Sequence, residues 1–385
     1  MTLARRTSWS LVMSASATTS VCARAPRARP RGDSSAGAMS VTGVSTMPPP
    51  QEQPSDTGIG NPTTDCHVGP VLPALPYCHS PPVVERCFSR PTLIGARMAG
   101  PVGLPVIDTM IGFPHEGFDQ YDFIRRQTKD RESKENFEFP VEYMFKDVPK
   151  DLPTDDPVSL LLAQMDRFGI EKAVVGVSDP SADKALKLFG DRFVPSGAVS
   201  DPNDVMGSVA AIRREYEQYG IRATSVFPSG TFPQVPIDDP KMYPIYATCV
   251  ELGIPIFVCA GVPGPRIPFK PQEVSRIDIV MFDFPDLVFV TRHGCEPWED
   301  LAVKLMLKWP NLYYSTSAFA PKYYPKAIID YANSRGADKV LYAGYFPMGL
   351  SLERIFRDLP NVPFKDEVWP KFLYGNAARI LGLEN

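Results

Sequence analysis

The residues of this chain best suited to acid–base chemistry lie around His293. Arg292 precedes this histidine, and Glu296 follows it by three residues. A histidine that a carboxylate orients can act as a general base near neutral pH, and a guanidinium beside it can bind an anion. Further along the chain, the hydroxyl of Tyr345 could donate a hydrogen bond to a developing oxyanion. We therefore predict catalytic roles for these four residues.

Each of these residues also has an interpretation without catalysis. His293 would then serve packing and hydrogen bonding. Glu296 would be an acid favourably placed near the start of a helix that begins at Pro297. Tyr345 would be a packed aromatic ring.

Three further polar residues are candidates because of their positions along the chain. Asp108 lies within the apolar segment 104–111 and could face the same cavity, where we predict a catalytic role, or could be tied to backbone amides. Arg266, in a Pro-rich loop, could bind a substrate carboxylate. We assign His115 to substrate binding as well. A rearranged metal site is an alternative that the tight spacing of metal ligands disfavours; it would use Asp108, His115, His293 and Cys259.

The elements that must position these residues follow a regular pattern. From Leu104 onward, short apolar segments alternate with longer segments of helical period, which predicts parallel βαβ units. The predicted strands are 104–111, 173–177, 194–199, 221–227, 254–260, 287–291, 312–315 and 340–342. The predicted helical segments include 155–168, 204–219, 243–252, 297–308 and 325–334.

This strand count indicates an α/β protein with a single (β/α)₈ TIM barrel, in which functional residues lie at the carboxyl ends of the strands. An open doubly wound sheet is the alternative, but no GxGxxG turn follows the first strand.

A long insertion, residues 113–153, follows the first predicted strand and should cover the active face of the barrel. Its aromatic residues suggest that it docks on the barrel mouth or on another subunit. They are Phe118, Tyr121, Phe123, Phe137, Phe139, Tyr143 and Phe145.

Residues 1–100 differ from the barrel, residues 101–385, in being rich in Pro, Ser and Arg without helix or strand periodicity. We predict a disordered N-terminal tail, with a start-site artefact or a targeting segment as the alternatives. Cys66-His67 and Cys78-His79 match no usual zinc-ligand spacing.

Composition excludes several classes of protein. A net charge of −4 and a pI near 5.7 argue against nucleic-acid binding. No apolar run is long enough to cross a membrane. The seven cysteines form no disulfide-scaffold pattern, which indicates a reducing and therefore cytoplasmic location.

Five segments of the predicted barrel form a recognisable series. They are VIDTMIGFP (106–114), DDPKMYPIYATCVELGIPIFVCAG (238–261), HGCEPWEDLAVKLMLKWPNLYYSTSA (293–318), DKVLYAGYFP (338–347) and FLYGNAARILGL (372–383). In this order the chain resembles the amidohydrolase-related family, in its decarboxylase-like branch, over nearly the whole barrel.

The resemblance implies one divalent metal, such as zinc, held at the strand ends. The family's ligands are a His-x-His pair after strand one, histidines after strands five and six, and an aspartate after strand eight. The corresponding positions in this chain are Met110, Gly112, Cys259, His293 and Tyr345. Because only the histidine after strand six is kept, we predict that no cofactor is bound.

The resemblance also implies a hydrolase or non-oxidative carboxy-lyase that acts on a small carbonyl or carboxylate compound. We predict a diverged protein of this kind whose partner is a small molecule. The alternative is a catalytically inactive barrel that binds a ligand or serves as a partner subunit. A homo-oligomer is expected by analogy with the family only.

Overall fold

The computed structural model describes residues 103–117, 119–135, 139–145, 148–150 and 152–384. Parallel strands alternate with helices along this part of the chain and form the TIM barrel that the sequence predicts. The predicted disordered tail, residues 1–100 with its Cys-His pairs, lies outside the described residues, as do Phe118 and Phe137.

All eight predicted strands are present. They are β1 (Val106–Asp108), β2 (Ile170–Gly176), β3 (Phe193–Ser196), β4 (Thr224–Val226), β5 (Ile256–Cys259), β6 (Phe289–Arg292), β7 (Leu312–Ser315) and β8 (Val340–Leu341). Strand β1 is shorter than predicted because the amide of Met110 donates to the side chain of Asp108, at 3.0 Å, and leaves the ladder.

The helices lie between the strands and beyond β8. They are α1 (Asp122–Arg125), α2 (Arg131–Glu135), α3 (Pro157–Phe168), α4 (Ala182–Phe189), α5 (Val205–Tyr219), α6 (Tyr243–Leu252), α7 (Ile277–Asp283), α8 (Glu299–Lys308), α9 (Lys326–Ala332), α10 (Leu352–Asp358) and α11 (Asn376–Ile380). Within the described residues, none of them is long and apolar enough to span a bilayer.

Local sequence explains where the longer helices begin and end. Asp156 caps α3 by accepting from the amide of Ser159, and Pro157 occupies the first turn. Helix α3 ends at Gly169, whose φ of 71° is the left-handed conformation that favours glycine. Asp204 caps α5 in the same way.

Two parallel ladders make up the barrel wall, β1 to β3 and β4 to β8. Single bridges, Ser196 to Ala223 and Val199 to Val226, join β3 to β4. Between β8 and β1 no ladder forms, and the closure is made by single hydrogen bonds: the hydroxyl of Thr109 donates to the carbonyl of Tyr342 at 2.8 Å, and beyond the strands the amide of Gly112 donates to the carbonyl of Phe346 at 2.9 Å.

A further closing bond comes from Asp108. Its Oδ1 accepts from the amide of Gly344 at 2.8 Å, as well as from that of Met110. Gly344 must be glycine here, because a Cβ atom would lie 2.4 Å from Oδ2 of Asp108. This carboxyl therefore joins the carboxyl end of β1 to that of β8.

The core has two layers, since successive side chains on a strand point to opposite faces. Outward-facing residues pack against the helices. The inner layer fills the barrel and also packs on α11; it comprises Ile107, Val174, Val194, Ala223, Phe257, Val290, Tyr313 and Leu341.

The buried carboxyl of Asp108 makes stability depend on pH. Burial raises the pKa of Asp108 from 3.8 to about 7, although its two backbone hydrogen bonds oppose this shift. The folded protein thus holds the proton more tightly than the unfolded chain. The contribution of Asp108 to the free energy of unfolding is therefore largest below about pH 4, and it is lost as the pH rises through about 7.

We therefore expect Asp108→Asn to reduce the fall in the thermal unfolding midpoint between about pH 5 and about pH 8. Asp108→Ala leaves two amides unpaired and should cost about 1–3 kcal/mol at both pH values. Thermal denaturation followed by circular dichroism measures both effects. An unchanged pH dependence in Asp108→Asn would show that another group titrates.

Candidate functional site

A cavity of about 710 Å³ opens at the carboxyl ends of the strands. Its polar floor includes Cys259, Arg292 and His293. Side chains of the insertion also line it, among them Phe139 and Phe145. Most of its wall is apolar or aromatic, as is typical of small-molecule sites.

Strand periodicity explains the floor. Two residues beyond each inner-layer residue lie Thr109, Gly176, Ser196, Ser225, Cys259, Arg292, Ser315 and Ala343. All but one of these side chains are small. The guanidinium of Arg292 therefore has room to lie over the ring of Phe257 from the layer below, at 4.9 Å from its centroid.

Arg292 is a cation without a carboxylate partner in the described part of the chain. Its only hydrogen bond there is a long one, from Nη2 to the carbonyl of Thr109 at 3.5 Å, and its buried Nε has no partner. Burial lowers the pKa of Arg292, because keeping the guanidinium charged in this environment has a free-energy cost. An anion bound in the cavity would offset that cost.

His293 is held by a residue that the sequence analysis did not single out. The hydroxyl of Ser317 accepts from the backbone amide of His293 at 3.1 Å and lies 3.2 Å from its ring Nδ1. Burial, and then the charge of Arg292, lower the pKa of His293 to about 3. The imidazole is therefore neutral at physiological pH.

Tyr345 joins the floor of the cavity to the insertion. Its ring stacks on Phe145 with centroids 5.6 Å apart and meets the ring of His293 edge-on at 5.5 Å. Burial raises the pKa of its phenol, so the hydroxyl remains protonated and able to donate.

Backbone strain is concentrated at this end of the barrel. The non-glycine residues His293, Ala318 and Tyr345 have φ values of 66°, 69° and 125° and follow β6, β7 and β8. Such conformations are costly and persist where the surroundings enforce them, often at functional sites.

The other predicted site residues are placed differently. Glu296 lines the cavity but is exposed and makes no hydrogen bond with His293, whose partner is Ser317. Asp108 is fully buried and holds backbone amides, which was the alternative considered for it. Neither Glu296 nor Asp108 therefore supplies a carboxylate that orients the ring of His293.

The structure does not bring Arg266 or His115 to the cavity. Arg266 forms ion pairs with Asp130 and Glu132, at 2.9 and 2.8 Å, and borders a separate surface pocket. His115 pairs with Asp179 at 2.6 Å.

Two glutamines that sequence reasoning missed organise the loops at the mouth. Gln272 donates to the carbonyl of Gly261 and accepts from the amide of Ser229. Gln127, in the insertion, donates to the carbonyls of Ser229 and Gly230. No local pattern marks such residues, because their partners are far away in sequence. Ser317 was more accessible to prediction, since it closely follows β7.

Comparison with known proteins places the chain among related barrels. A family model described as amidohydrolase matches residues 64–383. Among curated proteins, no sequence matches significantly.

Among the solved structures that are similar to this chain, three illustrate the relationship. An uncharacterised TIM-barrel protein from Bordetella bronchiseptica is 27% identical, with a TM-score of 0.55 over 72% of this chain and 99% of that one. A 5-carboxyvanillate decarboxylase from Novosphingobium aromaticivorans, complexed with manganese and a nitrobenzoic acid, is 18% identical, with a TM-score of 0.52 over 73% and 96%. A 2,6-dihydroxybenzoate decarboxylase from Rhizobium is 15% identical, with a TM-score of 0.51 over 74% and 99%. At these identities the two decarboxylases show a shared fold.

The five positions that would hold the metal do not fit one in this chain. Of these residues, Met110, Cys259, His293 and Tyr345 line the cavity. Burial raises the pKa of the Cys259 thiol to about 12, and the phenol of Tyr345 is protonated. In the ranges that the structure describes, no three His, Cys, Asp or Glu side chains are grouped to hold a metal ion.

We expect excess Mn²⁺ or Zn²⁺ to leave the thermal midpoint of the purified protein unchanged, and a chelator to have no effect either, because a bound metal would stabilise the fold. Differential scanning fluorimetry and elemental analysis measure this. His293→Asn is the matched control. Stabilisation of the wild type by metal, absent in this variant, would contradict the prediction.

Proposed function

Because this chain belongs to the amidohydrolase family, we propose that it binds a small carbonyl or carboxylate compound in the cavity and acts as a hydrolase or non-oxidative carboxy-lyase. The observation that supports this most directly is the partly buried guanidinium of Arg292 on the cavity floor, with no carboxylate partner in the described chain. A ligand carboxylate is the natural complement of such a group.

The neighbouring groups would complete the binding of that carboxylate or carbonyl. The neutral ring of His293 and the protonated phenol of Tyr345 both line the cavity beside Arg292. They can hydrogen-bond a ligand oxygen without adding a net charge. In a site of low polarity, fixed donors and one cation stabilise developing negative charge more strongly than water does.

The apolar wall would select and shield the ligand. Phe139, Phe145 and Phe319 line the cavity together with Met110 and Met348. A flat ligand with one carboxylate fits this combination of an aromatic wall and the guanidinium of Arg292. The decarboxylases of similar fold act, by their names, on aromatic carboxylates.

The proposed chemistry does not use the family's metal. The cation that faces the ligand is part of the protein, and the groups available for proton transfer or hydrogen bonding are His293, Tyr345 and the exposed carboxylate of Glu296. This makes the proposed protein a diverged member of its family. Its cytoplasmic location and its assembly into a homo-oligomer stay predictions from the sequence.

A second candidate function is ligand binding without catalysis, as a binding protein or partner subunit. It is favoured by the low pKa of His293, about 3, which makes the ring a weak base at neutral pH. The two functions share the cavity and differ only in whether a bound carboxylate is converted.

We expect Arg292→Gln to weaken the binding of hydroxybenzoates by roughly 30-fold or more, because about 2 kcal/mol or more is lost with a buried ionic contact. Isothermal titration calorimetry measures the affinity. Arg266→Gln is the matched control, since that arginine lies outside the cavity, and it should bind as the wild type does.

Equal affinities in the wild type and Arg292→Gln would refute the assignment of Arg292. Release of carbon dioxide or of a hydrolysis product from the bound compounds, followed by chromatography, separates the enzyme from the binding protein. Tight binding with no turnover of any such compound would favour the second function.

A further inference from the structure

The cavity is much larger than a single aromatic ring requires. A cavity of about 150 Å³ is enough to hold benzene, whereas the cavity at the carboxyl ends of the strands measures about 710 Å³. Pockets of this larger size bury most of the surface of drug-sized ligands. A single-ring carboxylate held by Arg292 would therefore occupy only part of the available space.

The side of the cavity that faces Arg292 has a different chemistry. Arg292 ends β6, which lies opposite β2 in a barrel of eight strands. At the carboxyl ends of β2, β3 and β4, the residues that line the cavity include Ser178, Ala198, Ser200 and Ser225, and none of the described lining residues from these segments is charged. We call these four residues the serine side of the cavity.

The hydroxyls of the serine side are available to a ligand. Ser178 and Ser200 are exposed, and their hydroxyls make no hydrogen bond within the described chain. The hydroxyl of Ser225 makes only a long bond, to the carbonyl of Gly197 at 3.5 Å. The Ser178 oxygen lies above the end of β2, since a Cβ atom added at Gly176 would be 3.9 Å from it. Each hydroxyl can both donate to a ligand atom and accept from one.

The cavity is closed beside Arg292 and open at the serine side. Tyr345 is buried next to Arg292, and its ring stacks on Phe145 of the insertion with centroids 5.6 Å apart. On the serine side, by contrast, Ser178, Ala198 and Ser200 are exposed. A ligand whose carboxylate meets Arg292 therefore has its other end among the serines and next to solvent.

We propose that the serine side is a second subsite, which binds the far end of an elongated carboxylate. Such a ligand has an apolar body about as long as two fused aromatic rings and a hydroxyl or similar hydrogen-bonding group at the end remote from the carboxylate. Phe139, Val199 and Phe227 line the cavity and provide apolar contacts for the body. This inference deepens the proposed function and rests on it for the carboxylate at Arg292.

Ala198 is the residue of the serine side that determines how long a ligand can be. Its side chain is a single methyl group in the segment that joins β3 to α5, where no helix or strand constrains the choice of residue. A large side chain at this position would fill the space that the second ring occupies. The two exposed serines would then select for the polar group at the end of that ring.

Isothermal titration calorimetry with two hydroxylated carboxylates tests the length of the site. We expect 6-hydroxy-2-naphthoate to bind about tenfold or more tightly than 4-hydroxybenzoate, because its second ring buries additional apolar surface. Equal affinities, or tighter binding of the benzoate, would overturn the inference.

Substitution of Ala198 tests where the second ring lies. In Ala198→Phe we expect the ratio of the two affinities to fall about tenfold, because the added ring competes with that of the ligand. Ala210→Phe is the matched control, since it adds the same ring on the exposed face of α5, outside the cavity, and it should keep the wild-type ratio. Circular dichroism checks that both variants fold, and Ala198→Val provides a smaller step at the same position. A wild-type ratio in Ala198→Phe would overturn the assignment of Ala198.

The role of the hydroxyls is tested by removing both of them. In Ser178→Ala/Ser200→Ala we expect the preference for 6-hydroxy-2-naphthoate over 2-naphthoate to fall about fivefold, the effect of one lost hydrogen bond. An unchanged preference would refute the role of the serines in binding the polar end.

The uncharged 2-naphthol separates this inference from the proposed function. If 2-naphthol and 2-naphthoate bind the wild type equally and Ala198→Phe weakens both, the carboxylate site at Arg292 fails and the second subsite stands. If carboxylates bind through Arg292 without any preference for a second ring, the proposed function stands and this inference fails.

Discussion

The bond on which the site depends is one of those that close the barrel, between the carboxyl of Asp108 and the amide of Gly344. No backbone ladder joins β8 to β1 in the described structure, so side-chain hydrogen bonds and the single backbone bond from Gly112 to Phe346 hold these strand ends together. Two residues after Asp108 comes Met110, and directly after Gly344 comes Tyr345, and both face the cavity. The hydrogen bond that requires this carboxyl to be buried therefore also fixes the positions of two residues that line the cavity.

The residue types at the positions of the family's metal ligands suggest how the cavity carries its charge. Histidines and an aspartate would bind a metal cation, whereas this chain has the thioether of Met110, the buried thiol of Cys259 and the phenol of Tyr345 at three of those positions. We propose that the protein instead supplies its own cation, Arg292, in a barrel layer whose other side chains are small. Either arrangement would present positive charge to a carboxylate or carbonyl.

The order of strands and the class of fold could be predicted from local pattern, because burial on both faces makes each strand of a parallel barrel apolar. The predicted element bounds differ from the structure where a side-chain contact replaces the hydrogen bonds between strands, as after Asp108. They also differ where exposed apolar residues obscure the periodicity of a helix. Helix α7 is not among the helical segments named from the sequence, and its apolar residues Ile279 and Phe282 are exposed, which blurs its amphipathic period. Its assignment depended on neighbours rather than on its own sequence.

The sequence by itself determined the barrel, the family and the group of polar residues around His293, since these are properties of residue type and spacing along the chain. Tertiary structure alone decided which of those residues meet. It gave His293 a serine partner from the segment after β7 instead of Glu296, left Arg292 without a carboxylate partner among the described residues, and paired Arg266 with acidic residues outside the cavity. Hydrogen bonds and charge pairs require atoms a few ångströms apart, and that distance is set by the packing of distant segments, not by their order in the chain.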